Sequence, residues 1–290
     1  MKGHPRTRLT IALGTVGFAL LMASLTSRAQ SSSSPQSHSS TTSGSALNDA
    51  KARLSHGDLA GAETSLWTVL SSNPNDEEAL TLLGVIRARQ NRFAEAEALF
   101  RRALQINPQS LVAHRDLGNA LAQEGKLDEA LEQFAQAEAL APRDYQLKAQ
   151  LAQLYAAKGQ FSQALSTLQP IPASHFPVEA IPVKAASLLA TGQAAEAEAL
   201  IAQAKASPAT QVDLAEVFLN SKLPDPALRC LAIAGESPKQ RTARYYALKG
   251  KALQAKGETQ AALRAFHEGL TVDPKSTDLL EASAELEAGH

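Results

Sequence analysis

The chain has 290 residues, a formal charge of −1 and a single cysteine, Cys230. That length suits one or two ordinary domains or one long repeat array, and one cysteine excludes a disulfide framework or a multi-cysteine zinc site. With no long basic run in the body, the concentrated cationic face that a nucleic-acid partner needs is missing. Aromatic residues make up 4 % of the chain. Alanine and leucine instead dominate the apolar share, which favours closely packed helices over sheet cores.

The N-terminal 29 residues read as an export signal. Lys2, Arg6 and Arg8 precede an apolar run from Leu9 to Leu25, and Ser27-Arg28-Ala29 places small residues two positions apart, predicting cleavage between Ala29 and Gln30. An uncleaved membrane anchor is the alternative, because the run sits near the lower limit for a spanning helix. Either outcome places the body outside the cytoplasm, periplasmic or secreted if cleaved and membrane-tethered if not. Cleavage would leave 24 basic and 29 acidic side chains (28 − 4 and 29 − 0), a net charge of −5. From Gln30 to Ser45 the chain is mostly Ser and Thr and is predicted to be a disordered linker.

The body from Ala46 onward is repetitive. Asn73-Pro74, Asn107-Pro108 and Ala141-Pro142 recur every 34 residues. Ala50, Gly84, Gly118, Ala152, Ala185, Ala215 and Gly250 each stand twelve residues before an alanine: Ala62, Ala96, Ala130, Ala164, Ala197, Ala227 and Ala262. Four residues beyond each alanine comes a bulky apolar side chain: Leu66, Phe100, Phe134, Leu168, Ile201, Leu231 or Phe266. The two small residues let paired antiparallel helices approach, and the bulky one fills the space one turn further along the same face. Gly57, Gly125, Gly159, Gly192 and Gly257 fall between the paired helices, where a left-handed residue ends the first of them. The proline stops the second helix.

This spacing resembles the tetratricopeptide repeat family. The clearest copy runs from Glu77 to Ser110, with Leu83-Gly84, Ala96, Phe100, Ala103 and Pro108 in the family's places. The next, Leu111 to Asp144, offers Leu117-Gly118, Ala130, Phe134, Ala137 and Pro142. The resemblance extends from Ala46 to Pro274 and implies an all-α, right-handed α-solenoid of about seven antiparallel helical hairpins. It also implies a concave groove, lined by the first helix of each hairpin, that holds peptides or partner domains.

Residues 46–169 are predicted to hold regular repeats. Pro170, Pro172, Pro177 and Pro182 predict a junction over 170–182, and less regular repeats follow over 183–276, one of them with Leu223-Pro224-Asp225-Pro226 in place of the turn glycine. Thr277 to Glu287 is predicted to be a capping helix over the last apolar edge.

No catalytic or metal-binding constellation emerges. None of the seven histidines (His4, His38, His56, His114, His175, His267 and His290) stands four residues from another, and no phosphate-binding glycine loop or nucleophile elbow occurs. The acids Asp76-Glu77-Glu78 and Asp128-Glu129 belong at helix starts, while Glu95, Glu97, Glu196 and Glu198 are predicted to be solvated. Trp67 is predicted to pack against its neighbour. No catalytic residue, metal or cofactor is assigned.

What remains is the groove. The resemblance places ligand-facing side chains three before and one after each small residue: Leu47 and Lys51, Thr81 and Val85, Arg115 and Asn119, Ala149 and Gln153. Arg89 and Gln123 stand one turn later. Arg115, Asn119, Gln123 and Gln153 would form a polar patch suited to a peptide backbone or carboxylate. These features predict an exported, non-catalytic scaffold or adaptor for a protein or peptide partner. The alternatives are a self-associating structural protein of the envelope, which would be a homo-oligomer, and an accessory subunit of an envelope enzyme complex.

Overall fold

The computed structural model describes residues 40–204 and 207–288. The expected signal segment, residues 30–39 of the linker, and His4, His38 and His290 lie outside the described residues. Fifteen α-helices and three short 3₁₀ segments make up the described architecture, and no strand occurs among these residues. No helix among them is long and apolar enough to cross a membrane. The chain divides into two compact units, between Leu154 and Tyr155.

The first unit holds α1 (Ser40–Ser55), α2 (Leu59–Ser72), α3 (Glu77–Arg89), α4 (Phe93–Ile106), α5 (Leu111–Gln123), α6 (Leu127–Leu140) and most of α7 (Tyr145–Ala157). α1 begins inside the Ser/Thr-rich stretch, so Ser40–Ser45 is helical where a linker was predicted. Helix pairs α1/α2, α3/α4 and α5/α6 form hairpins, and α2 packs on α3, α4 on α5, and α3 on α5. The first helices therefore follow one another along one side of the stack.

Local chemistry sets each boundary. Asp58 Oδ1 accepts from Gly61 N (2.9 Å) and Asp76 Oδ1 from Ala79 N (3.0 Å), so each caps a helix whose first amides have no partner within it. Ser110 caps α5 through Ala113 N. The residue preceding the repeat proline has a part of its own. Asn73, Asn107 and Asp273 accept at Oδ1 from the amide two residues on (3.3, 3.1 and 3.0 Å), forming the side-chain turn that redirects the chain into the next helix. All five turn glycines have φ between 73° and 83°.

In the two hairpins without a turn glycine, Asn91 and Lys222 take the same left-handed place at φ 60°. Asparagine tolerates that region, whereas lysine loses about 1–2 kcal/mol there. Part of this is returned by the greater freedom of glycine in the unfolded chain. Lys222→Gly is therefore expected to stabilise by about 0.5–1 kcal/mol, more than Asn91→Gly, read as a rise in the denaturant midpoint at constant slope.

The hairpin core follows the small-small-bulky pattern. Every alanine of the second set is fully buried, and the seven bulky residues are buried with them. A Cβ built on Gly84 would stand 2.6 Å from the Phe100 ring, and one on Gly118 would stand 2.6 Å from that of Phe134. Gly250 lies against Phe266 in the same way. No larger residue than glycine fits these crossings with the rings in place.

The second unit continues with α8 (Phe161–Leu168), α9 (Ile181–Ala190), α10 (Ala194–Gln203), α11 (Pro208–Asn220), α12 (Pro224–Ala234), α13 (Ala243–Ala255), α14 (Thr259–Val272) and α15 (Thr277–Ala288). The proline-rich stretch forms 3₁₀ turns at Ala173–His175 and Val178–Ala180, and Pro182 opens α9. Pro224 and Pro226 likewise occupy the first turn of α12, where a proline removes no helical hydrogen bond, so they start the helix while Lys222 makes the turn. α15 covers α14: Leu279 is fully buried, and its Cδ1 would meet a Cβ on Gly269 at 2.7 Å.

Two expectations about single residues are overturned. Trp67 is 52 % exposed, because Leu66 takes the core-facing place and the next residue points about 100° away; its indole donates to Glu63 Oε1 at 3.3 Å. Glu97 is buried, since it faces the next hairpin, where Lys126 Nζ reaches its Oε2 at 2.8 Å. Glu97 belongs to a series. Glu63, Glu97 and Glu198 each follow the packing alanine of a second helix, and each pairs with a cation 24 to 31 residues on: Arg87, Lys126 and Arg229. Ion pairs thus tie successive hairpins beside the apolar contacts.

Candidate functional site

Helix α5 owes its orientation to Gly118. With the Phe134 ring seated against that glycine, Leu117 and Leu121 turn into the core, and Arg115, Asn119 and Gln123 form an i, i+4, i+8 row along one side. Three of the residues expected to face a ligand are therefore neighbours on one helix, all of them half-buried. Arg115 Nε donates to Asp116 Oδ1 at 3.1 Å, leaving its terminal nitrogens beyond that contact.

The other expected positions differ in character. Lys51 on α1 pairs with Glu78 of α3 at 2.6 Å, which links two first helices. Thr81 and Val85 are buried, so of the three residues expected on α3 only Arg89, in its last turn, keeps substantial exposure. A cation there also complements the carbonyl end of the helix. Gln153 is half-buried on α7.

The residue that the spacing argument passed over is Asp116, two places before Gly118. It is 8 % exposed, and burial pushes its carboxyl above the usual aspartate range despite Arg115. Its Oδ2 and the Oδ1 of Asn119, one turn along, are both shut off from solvent and receive no hydrogen bond from the described residues. Buried acceptors without donors are uncommon, and each costs free energy in the unbound chain. The signal for Asp116 in the sequence was an acid where the neighbouring first helices carry Leu82 and Gln150.

In the second unit the same places on α11 are Asp213 and Glu216, two before and one after Ala215. There Arg244 of α13 bridges both carboxylates, donating from Nη1 to Asp213 Oδ1 at 2.9 Å and from Nη2 to Glu216 Oε2. A cleft of about 430 Å³ in this unit is lined by Glu236, Arg241, Tyr245, Tyr246, Lys249 and Glu268, two acids balanced by two bases.

Models described as tetratricopeptide repeat match residues 47–110, 121–181, 183–203 and 243–276, together more than half of the chain. The chain belongs to the tetratricopeptide repeat family. Its fold is matched by a tetratricopeptide repeat protein from Parabacteroides merdae at 18 % identity and a TM-score of 0.65, covering 85 % of this chain and 99 % of that one. PilF of Pseudomonas aeruginosa matches at 16 % identity and a TM-score of 0.56 over 85 % and 98 % of the two chains. PilW, a type IV pilus biogenesis factor, matches at 21 % identity and 0.56 over 82 % and 97 %. At these identities the likeness concerns the fold alone. No curated protein matches the sequence.

A tetratricopeptide repeat array is an all-α solenoid suited to scaffolding protein–protein contacts. The described residues contain no group of three or more metal-ligating side chains. Cys230 is fully buried on α12, and burial raises its thiol pKa to about 12. Because the thiolate is the reactive form, the native thiol is expected not to react with a disulfide reagent at mildly alkaline pH and to react stoichiometrically once denatured. Labelling followed by mass spectrometry checks this.

Proposed function

We propose that this protein is an exported, non-catalytic adaptor that holds a partner polypeptide against the first helices of its N-terminal repeats. The observation that carries the reading is the α5 surface, where Arg115, Asn119 and Gln123 align and Asp116 and Asn119 keep buried acceptors without donors from the described residues. Such groups are costly in the free protein and are satisfied when a ligand supplies the missing hydrogen bonds. Export rests on the arrangement of residues 1–29, with its basic start, apolar run and small-residue cleavage site.

Crosslinked capture from an envelope extract tests the reading. The full chain is expected to recover a reproducible partner, Asn119→Trp to lose it, and Gln136→Trp, on the exposed side of α6, to retain it. Far-UV circular dichroism should be unchanged in both variants. Capture that survives Asn119→Trp would move the binding surface elsewhere, and recovery of the bait crosslinked only to itself would favour a self-assembling structural protein.

A further inference from the structure

The α5 site and the Arg244 site are two versions of one arrangement. In each, a first helix carries an acceptor two residues before its small packing residue and another one residue after it: Asp116 and Asn119 around Gly118, Asp213 and Glu216 around Ala215. On α11 the pair is spanned by the guanidinium of Arg244, which enters from the following first helix, six residues before Gly250. The corresponding residue on α7, six before Ala152, is the uncharged Gln146.

Arg115 does not replace that guanidinium. It is the sequence neighbour of Asp116, and its Nε meets Oδ1, whereas Oδ2 and Asn119 Oδ1 remain buried and without a donor from the described residues. Asp116 is more than nine-tenths buried and both acceptors are closed to solvent, so a ligand reaches them only when the side chains over them move aside. Two acceptors one helical turn apart suit a planar fork of N–H groups, and a charge-assisted pair is the stronger way to satisfy a carboxylate in such a place.

We propose that Asp116 and Asn119 hold an arginine side chain of the bound polypeptide, so that the segment captured by the N-terminal repeats is basic rather than acidic. The proposal rests on the adaptor reading and adds the chemical class of the ligand. The chain thus supplies its own arginine to one such pair and takes a partner's at the other.

The test is a nuclear magnetic resonance titration of the full chain with three short blocked peptides that differ at one central residue: arginine, citrulline or glutamate. The arginine peptide is expected to give saturable shifts at Gly118 and Asn119, with the citrulline peptide about tenfold weaker and the glutamate peptide silent. Asp116→Asn should abolish the preference for arginine over citrulline while raising the melting temperature of the free chain. Arg115→Gln, which removes the competing cation, should tighten the arginine peptide, whereas an acidic ligand would be loosened. Equal or tighter binding of the citrulline or glutamate peptide on α5 would overturn the arginine assignment and leave the adaptor reading intact. Absence of shifts on α5 with the arginine peptide would overturn the assignment as well. The capture experiment with Asn119→Trp decides the adaptor reading separately.

Discussion

Phe100→Ala is expected to destabilise the first unit by about 3–5 kcal/mol, the range for deleting a buried aromatic ring. The ring is fully buried and lies against Gly84, where two backbones cross and neither helix can move in to fill the space. The reciprocal change has the opposite sign from the one helix propensity suggests. Glycine to alanine in a helix interior ordinarily gains about 1 kcal/mol. At Gly84 the added Cβ would sit 2.6 Å from the Phe100 ring, so Gly84→Ala is expected to lose about 1–3 kcal/mol instead. Adding Phe100→Leu to Gly84→Ala should recover part of that loss. Equilibrium denaturation of the native chain, Gly84→Ala, Phe100→Leu and their double variant gives the coupling between the two sites, which should be non-zero because the residues touch.

The second large effect lies at Arg87. This side chain is 10 % exposed and donates from Nη1 and Nη2 to the two carboxylate oxygens of Glu63, 2.8 and 2.5 Å away, with Gln90 Oε1 at 3.0 Å. Removing one partner of a buried pair costs about 3–5 kcal/mol. Glu63 keeps 25 % exposure and recovers some hydration, so Arg87→Ala should lose about 2–3 kcal/mol. Arg87→Met with Glu63→Leu, which replaces the pair by apolar groups, should lose much less than Arg87→Ala alone. A large loss in that double variant would mean that the pair itself, and not the stranded charge, carries the stability.

The pH dependence follows from the same pair. The hydrogen bonds from Arg87 hold the Glu63 carboxyl below its ordinary value of 4.5. At Glu97, burial opposes ionisation, yet Lys126 and Arg101 still hold the carboxyl below 4.5. With folded values below the unfolded ones, the native state binds fewer protons. This contribution is complete above about pH 4.5 and disappears as pH falls through the folded values. Asp116 works the other way. Its folded value is raised by burial, so its ionised form weighs against the free fold at neutral pH, and Asp116→Asn is expected to stabilise it there.

Much of the architecture was legible because repetition turns packing geometry into fixed spacing. The small residues at Gly84 and Gly118, the alanines twelve later and the phenylalanines four beyond those correspond directly to the helix crossings. The glycine turns were legible for the same reason, since a left-handed residue is a local requirement. Lys222 was not, because nothing in its neighbourhood marks a lysine for that conformation. The prolines at 224 and 226 drew the turn one residue too far along, whereas they sit in the first turn of α12.

Interactions between hairpins were the part the sequence concealed. Glu97 has the local surroundings of a solvated acid, and its burial comes from Lys126 in the next hairpin. The recurrence of glutamate after Ala62, Ala96 and Ala197 was the available signal, but only the partners 24 to 31 residues away give it meaning. Asp116 escaped for a similar reason. Its interest lies in a donor that the described residues do not provide, and that is visible only beside the Arg244 bridge on α11.

Binding along the first helices is the central claim, and site-specific photocrosslinking tests it most directly. A photoreactive phenylalanine placed at Gln123 on α5 is expected to trap a partner polypeptide when the full chain is irradiated in an envelope extract. The same residue at Gln136, on the exposed side of α6, should trap none. Adducts at 136 with none at 123, or adducts whose mass corresponds only to two copies of this chain, would contradict the account.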